Sequence, residues 1–365
     1  MTGGTGQDRR GGRGGECGRG RRRVVIFAVT EGGERLAERI ARGREGFEIS
    51  RGGGGLRARV EEAFGGADAL VFISATGIAV RMIAPLLQGK DRDPAVVVID
   101  ETGRFCVSLL SGHLGGANDL ARELARAIGA APVITTATDA LGLPSAEEVA
   151  SAFDLAIENV AAIKAVNSAI IRGGPVVVVD AHPARRGAMK RAFSPSGVFR
   201  FRKDFPPADA ARACVLVSSS AEPGAPEGFG PKTLIMRPRE FVIGLGCRRG
   251  VSVGDVERAC DQALACLKVS PLSIRNLATI DIKGDEEGMA GFARARGLEI
   301  VFYRAEELNT AAAPSGASKK VREVTGARAV AEPAALLSAG AKRLWMRKKV
   351  LGPVTVAVAR VPSRS

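Results

Sequence analysis

The chain has 365 residues, 45% hydrophobic and 25% charged, with a formal net charge of +14. These proportions fit a globular protein of two or three domains with a sizeable core. They argue against a small disulfide scaffold, and no apolar run is long enough for a membrane-spanning helix.

Residues 1–23 hold seven arginines against Asp8 and Glu16, with no apolar period. This arm is expected to be disordered and dispensable. It lacks both the apolar stretch of a secretory signal and the interleaved aromatics of a nucleic-acid-binding arm, so the expected compartment is the cytoplasm and no nucleic acid or membrane partner is expected. The surplus of positive charge in the rest of the chain suits an anionic ligand.

Residues 24–29 (VVIFAV) read as the first strand, and Thr30 can cap a helix over 31–41. Glycines 52–55 mark a loop. A short helix over 56–64 precedes a buried strand at 69–74. Thr76-Gly77 turns the chain into a helix running to about Leu87, with Pro85 kinking or ending it. Residues 90–94 (KDRDP) read as a solvated charged turn, followed by strands at 95–99 and 105–110. A helix over 117–128 precedes a strand at 133–135. Continuous Val/Ile strands alternating with helices predict an α/β fold for residues 24–140, a mainly parallel, doubly wound sheet.

Residues 141–238 form a less regular middle or linker domain. Helices are expected at 146–156 and 160–171, strands at 175–179 and 215–218, and a Pro/Gly-rich loop at 221–232. Residues 239–362 read as a separate C-terminal α/β domain. Its strand at 241 enters a glycine turn at 244–250, and helix 253–266, strand 277–281, helix 285–296 and strand 300–303 follow. Short helices at 318–325 and 332–339 precede a hairpin pairing 343–349 with 354–359.

The six cysteines (17, 106, 214, 247, 260 and 266) form no C-x-x-C pair, and the chain has two histidines. A zinc site therefore has poor raw material, and the cysteines read mostly as small core residues.

The stretch 108–139 (SLLSGHLGGANDLARELARAIGAAPVITTATD) carries the most chemistry. It sets Ser111 and His113 in a glycine-rich turn, Asn118 in the first turn of a helix, and Thr135, Thr136, Thr138 and Asp139 at the end of the next strand. His113 can shuttle protons near neutrality, and the hydroxyls and carboxylate can orient polar groups. The alternatives are a structural histidine and a strand-closing Asx or ST turn. Thr76 and Arg81, in the turn after strand 69–74, suit an anion site or else a tight connection. Cys247, Arg248 and Arg249 close the glycine turn of the third region, where the arginines suit carboxylate binding. Lys283, before an acidic helix start, is a further candidate.

At these residues the chain resembles the CbiG family, the cobalt-precorrin-5A hydrolases of anaerobic cobalamin biosynthesis. The runs 74–87, 90–100 and 108–139 look like that family's N-terminal module. Residues 243–250, 277–287 (LATIDIKGDEE) and 330–337 (VAEPAALL) look like its C-terminal module. The resemblance covers about residues 24–360, with a variable middle. It implies a hydrolase that opens the δ-lactone of cobalt-precorrin-5A and releases acetaldehyde. It also implies a tetrapyrrole substrate carrying its own cobalt, no cofactor of the protein's own, and other corrin-pathway enzymes as possible partners. A non-catalytic carrier of tetrapyrrole intermediates is the alternative. On chemical grounds His113 is expected to be the general base, with Asn118 and Asp139 as catalytic partners. Thr76, Arg81, Ser111, Thr135, Thr136, Cys247, Arg248, Arg249 and Lys283 are expected to bind substrate, and no metal ligand is expected.

Overall fold

The structure is a computed structural model that describes residues 22–89, 92–205, 213–222 and 233–362. Most of the arginine-rich arm, Cys17, Lys90, Asp91 and most of the 221–232 loop lie outside the described residues.

The first sheet is built by β1 (Val24–Ala28), α1 (Glu31–Ala41), β2 (Phe47–Ile49), α2 (Leu56–Phe64), β3 (Ala69–Ile73), α3 (Thr76–Ile83), β4 (Ala95–Ile99), β5 (Phe105–Leu110), α4 (Ala117–Ile128), β6 (Ala131–Val133) and α5 (Ala137–Ala140). Thr30 Oγ1 accepts the Gly33 amide at 3.1 Å and starts α1, as its side chain requires. Leu36 and Ile40 of α1 and Leu120 and Leu124 of α4 cover one sheet face, while Val60, Phe64, Ala79 and Ile83 cover the other. Each fully buried aliphatic side chain contributes about 1.5–3 kcal/mol, so the two faces together carry this module.

The strand order is β2-β1-β3-β4-β5-β6, and every neighbouring pair is parallel except β4 and β5. The doubly wound reading holds, with that reversal as a qualification. Its physical cause is the connection at residues 100–104, too short for a parallel crossover. The C-terminal ends of β5 and β6 therefore lie at the sheet edge opposite those of β1, β3 and β4.

Several boundaries differ from the sequence reading. The strand expected at 133–135 is Ala131–Val133, because the chain leaves the sheet at Ile134 and Thr136 begins α5. The helix expected to reach Leu87 ends at Ile83, and a 3₁₀ turn over Ala84–Leu86 holds Pro85. Asp93, read as part of a solvated turn, is buried and accepts the amides of Gln88 and Gly89.

The middle region has its own sheet, not a linker's irregular chain. Its elements are α6 (Ala146–Ala152), β7 (Leu155–Ile157), α7 (Ile163–Ile171), β8 (Val176–Asp180), α8 (Pro183–Phe193), β9 (Phe199–Arg202), β10 (Cys214–Val217) and β11 (Thr233–Pro238). They give the order β7-β11-β10-β8-β9, parallel but for β7. Helix α6 stops at Ala152, so the tail of the helix expected over 146–156 is a turn at 153–154 and the start of strand β7. Ser145 and Glu148 start α6 with a reciprocal capping box.

The third sheet comprises β12 (Phe241–Cys247), α9 (Val253–Leu267), β13 (Ile274–Ile280), α10 (Glu287–Arg296), β14 (Glu299–Tyr303), α11 (Ala305–Thr310), α12 (Lys319–Thr325), α13 (Ala331–Ala339), β15 (Leu344–Leu351) and β16 (Val354–Arg360). Its order is β14-β13-β12-β16-β15, with the expected antiparallel hairpin β15–β16 at one edge. The glycine turn expected at 244–250 begins later, since Gly244 and Gly246 lie inside β12. The buried thiols of Cys106, Cys214 and Cys260 are pushed up to about 11, 12 and 12 by desolvation, which suits inert core positions. No helix among the described residues is long and apolar enough to cross a membrane.

Candidate active site

The turn after β5 is held from several sides. Ser111 adopts φ 54°, a left-handed conformation rare for serine, and its Oγ donates to the Asp93 carbonyl at 3.0 Å. Its own carbonyl accepts the Ala117 amide at the start of α4. A Cβ at Gly112 would stand 2.7 Å from Asn118 Oδ1, so only glycine lets this backbone pass so close to the amide.

Asn118 is buried and fully committed. Its Oδ1 accepts Ser108 Oγ at 2.7 Å, and its Nδ2 donates to Thr136 Oγ1 and Asp139 Oδ2, both at 3.1 Å. Thr136 and Arg122 also donate to the Asp139 carboxylate. Asn118 and Thr136 thus spend their polar groups on Asp139, which makes them positioning residues. His113 completes the cluster. Its Nε2 lies 3.0 Å from Thr138 Oγ1 and 3.5 Å from Asp139 Oδ2, and its Nδ1 has no hydrogen-bond partner among the described residues.

The electrostatics follow from this arrangement. Burial acts to raise the Asp139 carboxyl, but the Thr136 and Arg122 donors and the His113 charge outweigh it and hold the group below the usual carboxylate range. A fixed carboxylate beside Nε2 favours the tautomer protonated there and leaves the Nδ1 lone pair as a base.

His113, Asn118 and Arg122 form one wall of a small cleft of about 40 Å³, and Glu147 and Ser151 of α6 form the other. The middle region therefore contributes to the candidate site, which the sequence reading did not anticipate. Ser108, Arg122 and Glu147 were also missed. Arg122 sits at i+4 from Asn118, so α4 periodicity could have found it.

The structure brings together Ser111, His113, Asn118, Thr136 and Asp139. Thr135 is close in sequence but exposed, because the strand ends before it. Thr76 and Arg81 do not join the cluster. They are exposed at the C-terminal end of β3, on the sheet edge opposite the end of β5, as the β4–β5 reversal dictates. Cys247, Arg248, Arg249 and Lys283 belong to the third sheet, where Lys283 Nζ lies 3.1 Å from Glu286 and Arg249 lies 3.5 Å from Asp285. Among the described residues no hydrogen bond or ion pair joins them to the His113 cluster. Burial pushes the Cys247 thiol up, against the pull of Lys283, so it is not a ready thiolate.

An Asp139→Asn variant tests the network. It should unfold in urea about 1–3 kcal/mol more easily at pH 7, because the amide cannot accept from all three donors, Asn118, Arg122 and Thr136. A carboxyl lowered in the folded state stabilises above its unfolded value and loses that contribution as pH falls through its folded one. The gap between variant and parent should therefore narrow below about pH 4. Equal stability at pH 7 would mean the carboxylate does not organise the turn.

Comparison with known proteins agrees with the three-sheet organisation. Family models described as Cobalamin synthesis G N-terminal, Cobalamin biosynthesis central region and Cobalamin synthesis G C-terminus match residues 58–139, 144–238 and 241–359. The chain is 35% identical over 310 residues to a cobalt-precorrin-5A hydrolase of Priestia megaterium, covering 85% of this chain and 83% of the relative. It is 34% identical over 334 residues to a cobalt-precorrin-5A hydrolase of Salmonella typhimurium, covering 87% and 92%. A crystal structure of a putative cobalamin biosynthesis protein G homolog from Sulfolobus solfataricus aligns with a TM-score of 0.38 at 23% identity, over 93% of this chain and 97% of that one. With all three modules matched in order and two relatives above 30% identity over most of their length, the chain belongs to the cobalamin synthesis G (CbiG) family.

Proposed function

We propose that the chain is a cobalt-precorrin-5A hydrolase. The observation that carries the reading is the 34–35% identity, over nearly the whole chain, to two relatives of that name. The His113 cluster fits the chemistry. His113 Nδ1 takes a proton from water, the oxygen adds to the lactone carbonyl, and the acyl–oxygen bond breaks to leave a carboxylate and a hydroxyl. His113, neutral again once it has given its proton to the departing lactone oxygen, takes the hydroxyl proton as acetaldehyde's C=O bond forms and the carbon–carbon bond to the macrocycle breaks. The electron pair passes into the conjugated, cobalt-bearing macrocycle, so the electron sink belongs to the substrate and the protein supplies no cofactor of its own.

The cleft has room for about two or three waters by volume. That suits the attacking water and the carbonyl edge of the lactone, with the rest of the ring and the macrocycle lying across the mouth and Glu147 and Ser151 facing them from α6. Cytoplasmic action beside other corrin-pathway enzymes follows from the same reading. The test is acetaldehyde release from anaerobically prepared cobalt-precorrin-5A, read by coupled reduction. Stoichiometric release at catalytic protein concentrations supports the hydrolase. Tight binding without release would make the protein a carrier instead.

A further inference from the structure

The C-terminal module holds a cavity of about 250 Å³, far roomier than the His113 cleft. Its walls are Leu308, Ala311, Ala313, Ala317 and Pro333, with Arg328 as the charged member. The wall is built, since Glu332, 1% exposed, accepts the amide and hydroxyl of Ser315 and the Lys348 amide. Asn309 accepts the Arg328 amide and donates to the Gly326 carbonyl, which fixes the other side. Lys348 joins this frame through its backbone amide, and its charge also acts on Glu332.

The charges are left over. Arg328 lies exposed at the cavity mouth and its guanidinium has no hydrogen bond or ion pair among the described residues, and the same is true of the exposed side chains of Lys319, Lys320 and Arg322 on the adjoining α12. Against these four cations, residues 311–330 hold one acid, Glu323. Small methyl walls accept methylene groups, and a guanidinium grips a carboxylate with two parallel hydrogen bonds. The cavity is too small for a tetrapyrrole and has no aromatic wall to stack one. The chemistry it fits is one flexible aliphatic carboxylate.

We propose that this cavity binds a peripheral carboxylate arm of the macrocycle, with Arg328 as its counter-ion. The assignment rests on the tetrapyrrole reading above and adds to it a recognition point in the C-terminal module. It separates roles: the His113 cleft, shared by the first and middle modules, handles the lactone, and the C-terminal cavity recognises the rim.

The test uses uroporphyrin, an octacarboxylate macrocycle, titrated into the full chain and followed by its fluorescence. Arg328→Ala should weaken binding about tenfold, the loss expected for one charge-assisted anchor, and Arg328→Lys should recover part of it. Ala317→Phe, which fills the cavity from an exposed position, should weaken binding similarly and guards against an effect of charge alone. Unchanged affinity in Arg328→Ala and Ala317→Phe overturns the proposal. Glutarate is the second probe. If it binds in an Arg328-dependent manner while uroporphyrin does not, the cavity serves a free small carboxylate and the arm assignment is wrong. Acetaldehyde release is measured separately, so hydrolysis without Arg328-dependent macrocycle binding sinks only this inference, and Arg328-dependent binding without hydrolysis sinks only the enzyme.

Discussion

Replacing His113 with Ala should slow acetaldehyde release about a hundred- to ten-thousand-fold, the range a positioned general base contributes. The fall should appear in kcat, because the imidazole acts on a proton in flight more than on the macrocycle's rim. Folding should survive, since the turn is held by Ser111, Gly112 and Asn118 rather than by the ring. Unchanged far-ultraviolet circular dichroism checks this. His113→Gln is the sharper companion, because its amide can keep a contact with Thr138 while having no basic lone pair. If the variant with Gln turned over normally, Thr138 and Asp139 would be holding a structural side chain and the base would lie elsewhere.

Much of the scaffold is legible from the residues, for reasons that also mark the limits. Val24–Ala28, Ala69–Ile73 and Ala95–Ile99 are continuous apolar runs, and they are the central strands of the first sheet. Helix α9 begins where Ser252 and Asp255 form a capping box, and the closing hairpin turns at Gly352 as its spacing suggests. Apolar runs carry no sign of direction, however. The clue to the reversal at β5 is the five-residue connection before it; without it, Thr76 and Arg81 group with Ser111, Thr135 and Thr136 as substrate-binding residues, although they lie at the other sheet edge. The second loss was β2 and β7, three residues each, too short for any periodicity to register. The third was α8, whose Arg- and Lys-rich sequence buries only Met189 and so shows no apolar stripe. At the site, His113 and Asp139 were legible by residue type. Glu147 and Ser151 were not, because they reach the cleft through tertiary packing of α6 and no local pattern links them to residue 113.

The glycines of β12 carry the second large effect. Gly244-x-Gly246 looks like a ligand-cradling turn, but the two positions differ physically. A Cβ at Gly244 would stand 1.9 Å from the Ala331 carbonyl oxygen and 2.9 Å from Ala335 Cβ, both on α13. A Cβ at Gly246 would find nothing nearer than Thr355 Cβ at 3.8 Å. Gly244 is therefore the place where a helix made of small residues packs directly on strand backbone, and any side chain pushes α13 off the sheet. Gly244→Ala should cost about 3 kcal/mol or more, at the upper end of overpacking, with an insoluble product as its extreme. Gly246→Ala should stay within about 1 kcal/mol of the parent, because alanine is no worse than glycine in a strand. Trp345, the chain's single tryptophan, reports on this sheet because its ring lies 5.8 Å from that of Phe241 in β12. Urea melts followed by its fluorescence should show an early transition for Gly244→Ala and a parental one for Gly246→Ala. Equal midpoints would mean that α13 can retreat from β12 at little cost. The cavity beside Pro333 would then lose its rigid wall, because α13 carries that residue directly after Glu332 and the loop it holds.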